Sequence, residues 1–133
     1  MGGNALKIKT VRKTTSEYNM IANKLIPIIK KGFNTDVSLV KCYHNKESHG
    51  DMDILVKMGY EQVNINIIDF IKNNFNPSDI NNNNGVISFD YDNFQIDIIP
   101  ISQGIWDIAN IWFSYDPFSN LVGKIVKQFN IKI

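Results

Sequence analysis

Apolar residues recur at spacings of three and four early in this chain, and then at every second position further on. Tyr18, Ile21, Leu25 and the pair Ile28/Ile29 share one side of a helix that should run to about Lys31. Thr14 and Glu17, three apart, read as a capping box at its start. Pro27 is expected to kink or shorten the helix, and Gly32 to stop it. Val37 to Tyr43 and Asp51 to Met58 read as strands joined by the polar loop Asn45 to Gly50. Ile65, Ile68, Phe70/Ile71 and Phe75 predict a second helix over Asn64 to Phe75. The tract Asn81 to Asn84, leading to Gly85, reads as a loop or turn. Val86 to Asp90 and Phe94 to Ile101 then form a hairpin through Tyr91-Asp92-Asn93. Ser102-Gln103-Gly104 is a helix entry, and Trp106 to Trp112 is helical. Asp116-Pro117 supplies an N-cap and a first-turn proline for a last helix that buries Leu121, Val122, Ile125 and Phe129.

Two of these strands carry acids where strands rarely hold them. Side chains alternate along a strand, so Asp51 and Asp53 share one face while Met52, Ile54 and Val56 share the other. Asp97 lies on a face with Gln95 and Ile99, opposite Phe94, Ile96 and Ile98. Aspartate is depleted in strands, and three in two apolar strands are costly unless a cation sits between them. If the strands pair side by side, the three carboxylates converge. A hard divalent cation wants such an oxygen cluster, and two of them roughly 3.5–4 Å apart clamp a phosphoryl transfer. The plainer reading, exposed acids on an edge strand, fits poorly with the large apolar residues that alternate with them.

Here the sequence resembles a known family. The run Tyr43-His44-Asn45-Lys46-Glu47-Ser48-His49-Gly50-Asp51-Met52-Asp53 looks like the metal-binding signature of DNA polymerase beta-type (family X) nucleotidyltransferases. Ile96-Asp97-Ile98-Ile99-Pro100 resembles the strand with that family's third aspartate. Trp112-Phe113-Ser114-Tyr115-Asp116-Pro117-Phe118-Ser119-Asn120 is similar to the segment under the incoming nucleotide. The likeness covers about residues 36 to 124. It implies an α/β fold of the palm type, a small mixed and mostly antiparallel sheet with helices chiefly on one face. The order of elements agrees with that.

The same resemblance implies a Mg²⁺-dependent nucleotidyltransferase, with Mn²⁺ as the alternative ion, that moves a nucleoside monophosphate from an NTP or dNTP to an acceptor hydroxyl. Asp51 and Asp53 would bridge both metals, and Asp97 would bind the one that activates the attacking oxygen. The Gly50 backbone, His49, and Lys41 or His44 would hold the triphosphate. Asp116 and Asn120 would lie near the sugar or base. Where the family has a phosphate-cradling Gly-Ser pair, this chain reads Val40-Lys41, and Lys41 offers a point charge instead. His44 falls where the family often has an arginine. With no helix-hairpin-helix module in the chain, addition of one or a few nucleotides to a nucleic-acid 3′ end is expected. Transfer to a protein hydroxyl is the enzymatic alternative. The non-enzymatic alternative is an impaired relative that binds nucleotide or a partner protein.

Composition narrows the setting. With 133 residues and 44% apolar content, the chain is expected to be one globular domain with a basic lead-in over residues 1–13. The single cysteine, Cys42, excludes an internal disulfide and suits a reducing compartment. No apolar run approaches the roughly 18–20 residues of a membrane span, and no signal peptide is evident, so a soluble cytoplasmic protein is expected. Leu6 stands where a myristoylation motif would have Ser or Thr.

The net charge of +1 hides a segregation. Lys7, Lys9, Arg12, Lys13, Lys24, Lys30 and Lys31 face only Glu17 in the N-terminal part, and Lys124, Lys127 and Lys132 close the chain. Basic ends around an acidic centre suit a protein that grips a nucleic acid. For any one lysine, a solvated position is the simpler reading. Cys42, His44 and His49 match no common zinc spacing. Cys42 and His44 have no evident third group for nucleophilic catalysis. Trp106 and Trp112 read as core residues rather than base-stacking platforms.

Overall fold

The computed structural model describes residues 6–40 and 48–113. The first helix, α1 (Thr15–Phe33), starts as its capping box predicts. The Glu17 N–H donates to Thr14 Oγ1 at 3.2 Å, and the Thr14 N–H donates to Glu17 Oε1 at 3.0 Å. Its buried stripe is Tyr18, Ile21, Ala22, Leu25, Ile29 and Phe33. Pro27 does not shorten it. A helix-interior proline costs about 3 kcal/mol. The buried side chains on either side of it, Leu25 and Ile29, each return about 1.5–3 kcal/mol.

Gly32 does not stop the helix either. Asn34 does, in the left-handed conformation (φ 52°, ψ 51°), and buried Gln62 donates to the carbonyls of Phe33 and Asn34 at 3.1 and 3.2 Å. The glycine serves packing instead: a Cβ there would run into the Phe70 ring.

A five-stranded sheet forms the middle layer. Its strands are β2 (Val37–Leu39), β4 (Asp51–Met58), β5 (Ile80–Asn83), β6 (Val86–Tyr91) and β7 (Phe94–Ser102), in the order β2-β4-β7-β6-β5. Only β4 and β7 are parallel; the other neighbours are antiparallel. The fold is therefore α/β with a mixed, mostly antiparallel sheet, as expected. Two further strands, β1 (Lys13–Thr14) and β3 (Ser48–His49), pair antiparallel as a separate ribbon that periodicity did not announce.

The Asn tract corrects the sequence reading. Asn81 to Asn83 belong to β5, and only Asn84 and Gly85 make the turn, both with positive φ (56° and 95°). Asn-Gly is a favoured two-residue turn of this kind, and it forces the residues before it back along β6 despite the poor strand propensity of Asn. Asp92 and Asn93 (φ 53° and 61°) repeat that turn between β6 and β7. Helix α2 (Ile67–Phe75) begins later than expected, because the Asn66 side chain caps it by accepting from the Asp69 N–H at 3.1 Å. Ser102 leads through a short 3₁₀ turn, Gln103–Ile105, into α3 (Trp106–Phe113). The strand expected over Val37 to Tyr43 ends at Leu39, with Val40 outside it; residues 41–43, and the last helix expected from Pro117, lie outside the described residues.

Helices α1 and α2 cover one face of the sheet. There Met52, Ile54, Val56 and Met58 of β4 join Phe94, Ile96 and Ile98 of β7 and Ile87 and Phe89 of β6. Helix α3 lies against the other face, where Ala109 packs with Leu55 and Ile101. No helix among the described residues is long and apolar enough to cross a membrane.

Candidate metal centre

The face under α3 changes character along its length. Toward the ends of β4 and β7 it is apolar, with Leu55, Ile99 and Ile101. Toward their beginnings it is polar. The parallel register sets Asp51 opposite Gln95 and Asp53 opposite Asp97, so strand alternation puts all four on this face. The antiparallel register of β6 adds Ser88 opposite Asp97 and Asp90 opposite Gln95.

One carboxylate oxygen each from Asp51, Asp53 and Asp97 lies within 4.8 Å of the other two. Asp51 and Asp53 are half-buried, whereas Asp97 is 9% exposed. Like charges at this spacing repel by on the order of 3 kcal/mol per pair at an effective dielectric constant of 20. Neutral donors offset part of that cost at Asp97. Ser88 Oγ donates to its Oδ1 at 2.6 Å, and Gln95 Nε2 reaches Oδ1 and Oδ2 at 3.0 and 3.3 Å. Both donors are buried, so Asp97 is held in one orientation.

The donor set suits a hard cation. All three ligands are carboxylate oxygens, and two oxygens on one ion at about 2.3–2.6 Å can lie up to roughly 5 Å apart. The three oxygens, within 4.8 Å of one another, would draw together to share one such ion, and further for a smaller ion such as Mg²⁺.

The other expected site residues are distributed differently. Gly50 is buried between β3 and β4, directly before Asp51. His49 is 3% exposed, its ring stacked on Tyr18 with centroids 4.0 Å apart, and Nε2 lies 3.2 Å from Thr15 Oγ1. Its ring thus meets the first turn of α1. Lys41, His44, Asp116 and Asn120 lie outside the described residues.

The basic positions also separate. Lys24, Lys30 and Lys31 ride on α1, across the sheet from the acids, and Lys24 Nζ sits 5.8 Å from the centre of the Tyr91 ring. Lys13 is buried and paired with Asp92 at 3.2 Å. Lys7, Lys9 and Arg12 remain exposed on the N-terminal arm.

Sequence reasoning missed Ser88 and did not assign Gln95 a role. A signal for Ser88 was present. A two-residue turn at Asp92-Asn93 pairs Tyr91 with Phe94, and counting three residues back from Tyr91 and three forward from Phe94 places Ser88 opposite Asp97. No protein-family model matches this chain, and neither does any curated protein.

Proposed function

We propose that this chain is a metal-dependent nucleotidyltransferase of the polymerase-beta palm type, transferring a nucleoside monophosphate from an NTP or dNTP to the 3′ hydroxyl of a nucleic acid. One observation carries the reading: Asp51, Asp53 and Asp97 meet on one face from adjacent parallel strands, with carboxylate oxygens within 4.8 Å of one another. Asp51 and Asp53 would hold Mg²⁺ or Mn²⁺ on the nucleotide side, and Asp97 would share the ion nearer the acceptor. A bound ion of this kind neutralises phosphate charge and makes the acceptor hydroxyl easier to deprotonate.

The residues themselves supply position. Ser88 and Gln95 fix Asp97, so its carboxylate needs little reorientation when charge develops beside it. Gly50, directly before Asp51, carries no side chain to crowd the site. In the transfer, the acceptor oxygen bonds to the α-phosphorus and the bond to the β-phosphate oxygen breaks. Pyrophosphate leaves, and the hydroxyl proton passes to solvent. A single cysteine is in keeping with a cytoplasmic setting.

The test is incubation with labelled NTPs and dNTPs, Mg²⁺ or Mn²⁺, and mixed DNA and RNA oligonucleotides. Extension at the 3′ end that is lost in Asp53→Asn supports the reading. Label on the protein itself would move the acceptor to a protein hydroxyl. Absence of transfer to any acceptor would overturn the proposal.

A further inference from the structure

We propose that Arg12 is a phosphate-binding residue of this site, contacting the triphosphate of the incoming nucleotide; the inference rests on the transferase reading above. The arm that carries it is clamped on both sides. The Val11 N–H donates to the Asn93 carbonyl at 2.8 Å, and Lys13 Nζ reaches Asp92 Oδ2 at 3.2 Å. Lys13 and Thr14 then pair with His49 and Ser48. Asn93 directly precedes β7, and His49-Gly50 directly precede β4. The arm therefore crosses the leading ends of both strands that bear the acids, with Arg12 lying between the bond to Asn93 and the pairing with His49.

The side chain is oriented as well. Arg12 Nε donates to Ser48 Oγ at 3.1 Å and Nη2 donates to the Ser48 carbonyl at 3.2 Å. Those two bonds leave three of the five guanidinium N–H groups for a ligand. Among the described residues no carboxylate forms an ion pair with Arg12, although it is exposed. A guanidinium fork held by two neutral oxygens has already lost much of its rotational freedom. Lys7 and Lys9 lie further up the arm, and Lys13 is committed to Asp92. Arg12 is the cation of the arm placed to meet a phosphate bound next to Gly50 and Asp51.

The experiment titrates the full chain with inorganic tripolyphosphate in Mg²⁺, and measures transfer kinetics in parallel, for wild type, Arg12→Ala, Arg12→Lys and Asp53→Asn. Arg12→Ala should weaken tripolyphosphate at least tenfold and raise KM for the nucleotide by a similar factor, with kcat little changed. Arg12→Lys should recover part of the affinity, and both Arg12 variants should melt near the wild-type temperature. Wild-type affinity in Arg12→Ala would overturn the assignment, as would a lowered melting temperature with affinity intact, which marks a purely structural brace for Ser48. If that happens while Asp53→Asn still abolishes metal-dependent transfer, the transferase reading stands without Arg12. If Arg12→Ala loses tripolyphosphate but the wild type transfers nothing, Arg12 stands as a phosphate site and the transferase reading falls.

Discussion

Ser88 and Asp97 face each other across the β6–β7 ladder, and the serine hydroxyl donates to the aspartate at 2.6 Å. Both are buried, so the bond is made away from competing water. A hydrogen bond to a charged group contributes about 1.5–3 kcal/mol. Ser88→Ala should therefore lower stability by roughly that amount, measured by denaturant titration. It should also slow transfer by about tenfold, because Asp97 would be held by Gln95 alone. Stability and rate both equal to wild type would show that Gln95 suffices.

Asp97→Asn keeps the shape of the side chain but removes its charge. Nucleotide binding with Mg²⁺ should survive largely through Asp51 and Asp53, while transfer should fall by several orders of magnitude. Asp51→Asn and Asp53→Asn should weaken metal-dependent binding as well as transfer. Removing one of three crowded like charges should leave the apo protein as stable or slightly more so. Thermal melts with and without Mg²⁺ and nucleotide, run beside a transfer assay, separate these outcomes. Transfer at the wild-type rate in Asp97→Asn would exclude a role for it in the chemistry.

Gly32→Ala tests the packing of α1 on α2. Alanine is the better helix former by about 1 kcal/mol, but its Cβ would press on the Phe70 ring. That ring is tilted against Phe33 at 4.7 Å and set edge-on to Phe75 at 6.2 Å, so it has little room to move. Overpacking of this kind costs about 1–3 kcal/mol, and a net loss of about 1 kcal/mol is expected. In a Phe70→Ala background the same substitution should become stabilising. A double-mutant cycle with no coupling would refute the packing role.

Glu17 makes the start of α1 sensitive to acid. The Thr14 backbone N–H, followed by the Thr14 hydroxyl, holds its carboxyl below the ordinary value of 4.5. A carboxyl lowered in the folded state adds stability above its unfolded pKa and loses it as pH falls through the folded value. The stability gap between wild type and Glu17→Gln should therefore be open at neutral pH and close as the pH drops below about 4.5. Melting curves from about pH 7 to about pH 3 measure it. A gap that stays constant over that range would mean the charge contributes nothing.

Much of this fold is legible in local order. The capping box Thr14–Glu17, the stripe from Tyr18 to Ile29, and the alternation around Asp51–Asp53 and Asp97 all concern neighbours a few residues apart. Helical and strand periods act at that range, so the sequence alone determined those elements and the face on which each acid lies. The Asn-Gly and Asp-Asn turns set two hairpin registers on the same local terms. Other features needed distant partners. Gly32 reads as a helix stop until Phe70 is seen against it. Ser48–His49 show no strand pattern because Lys13–Thr14, far off in the chain, supply their pairing. That β4 and β7 lie side by side and parallel, bringing Asp53 opposite Asp97, was likewise decided only by the tertiary structure. The physical reason is that nothing local specifies which strand becomes a neighbour. That choice is made when α1 and α2 bury Met52, Ile54, Ile96 and Ile98 together on one side, which leaves the acids gathered on the other.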